Sequence, residues 1–123
     1  MSHDSPTEKP LEQRHCQTIE KGSKPLIIPV IESHLSQLNG WEAPIHYREI
    51  NKTFVFKNHL QVISFVNAVA WFANKEDHYP TICFDYNTAK ITLSTQHIKG
   101  VSLNDMVLAA KINALLNTQT SDS

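Results

Sequence analysis

Glycine is scarce in this chain: Gly22, Gly40 and Gly100 are the only three among 123 residues. They form no cluster of the kind that cradles phosphates, which excludes a P-loop or a dinucleotide fingerprint. Cysteine is scarcer still. Cys16 and Cys83 make neither a disulfide framework nor a zinc-ligand set, and they point to a reducing, cytoplasmic compartment. A dominant charge is also missing, with 11 Lys and Arg scattered against 12 Asp and Glu for a net charge of −1. That balance leaves no electrostatic footprint for nucleic acid or for an anionic membrane. The most apolar windows, Leu26 to Ile31 and Val62 to Phe72, fall far short of the roughly 20 residues that span a bilayer. The polar start, with Asp4, Glu8 and Lys9, does not read as a signal peptide.

What is present suits one domain. Residues 1–31 read as a flexible N-terminal tail, too polar over the first 24 to offset the entropy of ordering. Within it, Pro25 and Pro29 argue against a helix over the apolar run from Leu26 to Ile31, which reads either as a hydrophobic lead-in to the fold or as an extended segment that docks on a partner or on its own domain. The domain proper is expected over 32–117, with 118–123 a polar C-terminal tail. A short helix is predicted from Glu32 to Leu38, closed by Asn39-Gly40. Trp41 follows, and then strands at 45–50 and 53–57 parted by Asn51-Lys52. Asn58 and Gln61 form a capping-box pattern that opens a long helix. Its stripe is Val62, Phe65, Val66, Val69, Phe72 and Ala73, widened by Leu60, Ile63 and Ala70. A helix apolar on two sides needs two partners, and a second copy of the chain is one of them.

Pro80 stops that helix. Ile82, Phe84 and Tyr86, then Ile91, Leu93 and Thr95, alternate as a hairpin around Asn87-Thr88. A last helix starts at Ser102, with Asp105 at its third position. The order predicts an α+β fold: a four-stranded antiparallel sheet with helices packed on one face and the other face open to a ligand or partner.

Seven histidines, at 3, 15, 34, 46, 59, 78 and 97, include no pair with metal-ligand spacing, so no metal is expected. His78 stands out. It ends the long helix beside Glu76 and Asp77, where an imidazole either caps carbonyls or moves protons near neutral pH.

From about Leu35 to Leu116 the chain resembles the pterin-4a-carbinolamine dehydratases. The likeness rests on Gly40-Trp41, Phe54-Val55-Phe56-Lys57, Val69-Ala70, His78 with Pro80, Tyr86-Asn87, Ile91 to Thr95, Gly100-Val101-Ser102, Asp105 and Leu108-Ala109. The resemblance implies loss of water from a 4a-hydroxytetrahydropterin, with an acid for the leaving hydroxyl and a base for a ring nitrogen. Active members supply these from a Glu-x-x-x-His-His-Pro segment, a following aromatic, a third histidine and an acid in the final helix. Here His78, Pro80, Tyr86 and Asp105 keep their positions; Asn74, Tyr79 and Gln96 replace the glutamate and the other two histidines. His97 lies one residue from Gln96, and on a regular strand it would point to the opposite face.

With those losses the resemblance turns toward a branch with an eroded site. Those members are assembly factors for Rubisco in the α-carboxysome system. It implies a homodimer or dimer of dimers, Rubisco as partner, residual pterin binding, no cofactor, and a cytoplasmic or carboxysome-associated location. The alternative is an active 4a-hydroxytetrahydrobiopterin dehydratase that recycles pterin cofactor.

Overall fold

The structure is a computed structural model that describes residues 9–122, with side chains to residue 116. Six elements frame it: α1 (Ile28–Leu35), β1 (Ile50–Val55), α2 (His59–Glu76), β2 (Thr81–Phe84), β3 (Thr88–Leu93) and α3 (Leu103–Asp122). The sheet is antiparallel in the order β1-β3-β2. Pairings of Phe54 with Ala89 and of Ile82 with Ile91 put Ile50, Phe54, Ala89, Ile91 and Leu93 on one buried face. That face shares one core with Val62, Phe65 and Val69 of α2 and Met106, Leu108 and Ile112 of α3. The opposite face exposes Thr53, Val55, Thr81, Cys83 and Lys90.

The sheet has three strands, where the sequence suggested four. Of the strand expected over 45–50 only Ile50 is extended, as the first residue of β1, because a turn closes from the Tyr47 N–H to the Pro44 carbonyl at 2.9 Å and Tyr47 adopts φ 53°. A left-handed tyrosine cannot continue an extended run. Asn51 and Lys52 then lie inside β1 instead of in a turn, and Asn51 bridges back to Glu42.

The first helix also differs. It spans Ile28–Leu35, so four of the six residues of the run expected not to be helical, Ile28 to Ile31, are helical. Pro29 falls in the first helical turn, where its missing N–H has no intrahelical partner to lose. Ile31 is consequently a fully buried core residue. Downstream of α1 the chain tightens through Leu38 and turns at Gly40, whose φ is 84°.

The start of α2 matches its sequence signature. The Gln61 N–H donates to the Asn58 side chain at 2.9 Å, and the Gln61 amide oxygen accepts from the Lys57 N–H at 3.0 Å. On its far side Leu60 and Trp71 are 75% and 60% exposed, so nothing among the described residues covers them.

Residues 9–27 were read as part of a tail outside the domain. In the structure they lie against it. The Leu26 N–H donates to the Val101 carbonyl at 2.8 Å, and Pro25 packs so close to Gly100 that a Cβ there would sit 2.5 Å from the proline ring. Residues 1–8 of the expected tail lie outside the described residues. At the other end α3 runs to Asp122, through most of the stretch read as a C-terminal tail.

Candidate functional site

His78 reaches its position through the end of α2. Asp77 takes a left-handed conformation, φ 53°, and the His78 N–H returns to the Ala73 carbonyl at 3.2 Å. This reversal closes the helix and aims the imidazole at the start of α3. There His78 Nε2 meets Asp105 Oδ1 at 2.6 Å. The Asp105 side chain is fully buried, and that of His78 is 12% exposed. The other carboxylate oxygen, Oδ2, accepts from the Ser102 N–H and from Thr95 Oγ1, both at 2.9 Å. Thr95 Oγ1 in turn accepts from Ser102 Oγ at 2.6 Å. A carboxylate with donors on both oxygens has its burial cost offset, and it stays an acceptor for the imidazole. Asp105 therefore does two jobs: it completes the cap of α3 and it orients His78. The Nδ1 of His78 has no bonding partner among the described residues.

His78 lines a cavity of about 300 Å³, near the lower end of the ligand-site range of roughly 300–1,000 Å³. Thr95, His97, Glu76 and Asn104 share the lining. Asp77 and, from the N-terminal segment, Cys16 to Ile19 supply its remaining wall. His97 enters because β3 ends at Leu93 and Gln96–Ile98 is a 3-10 turn. Strand alternation no longer decides where it points. Its Nε2 lies 2.7 Å from the Ile19 carbonyl oxygen.

Of the residues singled out from sequence, the structure brings His78 and Asp105 together. Tyr79 and Gln96 are exposed and are not part of this lining. The Tyr79 hydroxyl points back toward Asn74 at 3.5 Å. Pro80 is half-buried and also outside the lining, and Tyr86 is 67% exposed and stacks on the His59 ring. Among the described residues no three His, Cys, Asp or Glu side chains converge as a metal site.

Sequence reasoning missed what Glu76 does. Its Oε1 accepts from the Cys16 N–H and its Oε2 meets His15 Nδ1, each at 2.8 Å. Lys111 Nζ lies 3.9 Å away. Burial pushes the Glu76 carboxyl up, but the bonds from Cys16 and His15 and the charges of Lys111 and His15 outweigh it and hold it below its ordinary value. A signal was available: Val62, Phe65, Val69, Ala73 and Glu76 follow one helical stripe, and a carboxylate on an apolar stripe requires partners. The Cys16 thiol is pushed up to about 12 by burial and by the negative charges of Glu76 and Asp105, so it stays protonated and is no nucleophile.

Comparison with known proteins gives the family. The family model for pterin 4 alpha carbinolamine dehydratase matches residues 25–115. The chain belongs to that family. A protein of Hydrogenovibrio crunogenus is 57% identical over 111 residues, covering 90% of this chain and 98% of its own length. One from Nitrosomonas eutropha is 41% identical, covering 86% and 93%. Both carry the name "Putative pterin-4-alpha-carbinolamine dehydratase". Among solved structures, a transcriptional coactivator/pterin dehydratase from Brucella melitensis superposes with TM-score 0.72 at 30% identity, over 75% of this chain and 98% of that one. A pterin dehydratase-like protein identified as a RuBisCO assembly factor in the α-carboxysome matches at TM-score 0.55 and 23% identity, covering 63% and 89%, a likeness of fold alone. No helix among the described residues is long and apolar enough to cross a membrane.

Proposed function

We propose that this chain binds a reduced pterin in the His78 cavity and removes water from its 4a-hydroxy form. His78, backed by Asp105, is the proton-transfer group. One observation carries the reading: a fully buried carboxylate 2.6 Å from the Nε2 of a histidine that faces a ligand-sized cavity. Asp105 can only accept, so it keeps the imidazole proton on Nε2 and leaves Nδ1 to take or give a proton. The exposed Tyr79 and Gln96 add no proton-transfer group, so turnover is slower than in a site with three histidines. Stopped-flow dehydration of 4a-hydroxytetrahydrobiopterin tests this. The wild type should exceed the spontaneous rate, and His78→Asn should remove roughly 100-fold of the excess. Asp105→Asn should lower it by a smaller factor. A wild-type rate equal to the spontaneous one would sink the reading.

A second reading follows from the surface. Leu60, Trp71, Val55, Phe84 and Tyr86 are 47–75% exposed, and β2 is a sheet edge, an arrangement suited to a protein partner. The first such partner is a second copy of this chain. The second is Rubisco, for which a protein of this fold is an assembly factor. Co-expression with the large and small subunits of Rubisco separates the two functions. An increased yield of assembled holoenzyme from a variant without dehydration above background would favour the assembly role.

A further inference from the structure

Dehydration of the pterin needs two proton-transfer groups. The C4a–O bond breaks and its electron pair leaves on oxygen, which takes a proton and departs as water. N5 gives its proton to a base, and its electron pair closes the C4a=N5 double bond. Donor and acceptor act at different atoms. His78 has one ring nitrogen without a bonding partner among the described residues, so it serves one end only.

His97 supplies the other end, and the N-terminal segment is what prepares it. The Ile19 carbonyl at 2.7 Å can only accept, so His97 donates from Nε2 and presents Nδ1 as its second site. Asp105 imposes the same arrangement on His78. Two imidazoles on the wall of one cavity thus carry the same tautomer, each fixed by an acceptor behind the ring.

The segment that leads to Ile19 is held at Cys16 and Gln17 by distant parts of the chain. The Gln17 N–H donates to Asn104 Oδ1 at 2.8 Å, and Asn104 Nδ2 donates to the Gln17 carbonyl at 2.7 Å. The Cys16 N–H is fixed on Glu76. Asn104 is buried at the start of α3, beside Asp105, so one helical turn carries the acceptor for His78 and the clamp that positions the acceptor for His97.

We propose that His97 is the second proton-transfer residue of the pterin site and that the segment His15 to Ile19 is a positioning element that presents the Ile19 carbonyl to it. The proposal rests on the pterin reading above. It assigns to residue 97 a task that the family pattern places at 96.

The test uses the full-length chain with His97→Asn, Asn104→Ala and the double variant. Each is followed by steady-state dehydration and by long-range ¹H–¹⁵N spectra of the histidine rings. His97→Asn should lower kcat roughly 100-fold with little change in KM, and it should remove one limb of the pH profile. Asn104→Ala should lower kcat by a smaller factor and erase the Nε2–H signature of His97. The double variant should be no slower than His97→Asn alone, since the clamp acts through that histidine. Unchanged kcat in His97→Asn, or full additivity in the double variant, overturns the proposal. The non-reacting ligand 7,8-dihydrobiopterin separates the two levels. Shifts of both His78 and His97 resonances on binding support the proposal. A shift of His78 alone overturns it and leaves the pterin reading intact. A shift of neither overturns both.

Discussion

The same two helices serve two unlike regions. Toward the sheet, α2 and α3 present Val62, Phe65, Val69, Met106, Leu108 and Ile112, all essentially without exposure. Toward the N-terminal segment they present Glu76, Asn104 and Lys111, also buried but polar. The first region is held by burial, which is non-directional and scales with apolar area. The second is held by hydrogen bonds to particular backbone groups, including Lys111 Nζ to the Glu12 carbonyl at 3.0 Å. The difference teaches where precision resides in this molecule. The core fixes the relative placement of helices and sheet, and the polar seam fixes the atoms of the site.

That contrast can be broken by experiment. The largest expected effect is on the core side. Phe65 is 1% exposed and packs between Phe54 and Phe56 at ring separations of 4.7 and 5.0 Å. Phe65→Ala should cost about 3–5 kcal/mol in chemical denaturation. Asn104→Ala comes next, at about 1–3 kcal/mol, because it leaves the N–H and carbonyl of Gln17 without partners. Hydrogen exchange should show that loss concentrated at residues 15–19, with β1 and β3 still protected. Equal loss of protection in both places would mean that core and seam are one cooperative unit.

A smaller effect tests the seam through pH. The folded-state value of Glu76 lies below its ordinary 4.5, so its contribution to stability is fully present above that pH and is lost as pH falls through the folded value. Acid titration of stability should therefore be flatter in Glu76→Gln than in the wild type below about pH 4.5. An identical slope would show that Glu76 gains nothing from its bonds to His15 and Cys16. The smallest effect is chemical. Cys83 is exposed, whereas Cys16 is half-buried with its thiol pushed up to about 12. A thiol reagent at pH 8 should label Cys83 first, and Asn104→Ala should speed labelling of Cys16. Equal rates in the wild type would mean that the segment leaves its clamps readily.

The apolar region was largely legible in the residues. The stripe through Val62, Phe65, Val69 and Ala73, the cap at Asn58 and the alternation of Ile91 and Leu93 are local patterns, and each reports its own element. The limits were local as well. Pro29 argued against a helix only because its place in the first turn was unknown, and the expected strand before Ile50 gave way to a left-handed Tyr47. The site was legible at His78 and Asp105 by family position, but the contact between them was not, since 27 residues separate the pair.

By itself, then, the sequence determined the mixed architecture, the long helix, the hairpin and the histidine at the end of α2, because periodicity and capping act between neighbouring residues. Tertiary structure alone decided that the sheet stops at three strands. It also decided that Glu76 receives the N-terminal segment and that His97 leaves the strand in a turn to join His78. The placements of Glu76 and His97 rest on directional bonds between groups 60 and 78 residues apart, which no local pattern encodes, whereas the lost strand turns on the left-handed Tyr47.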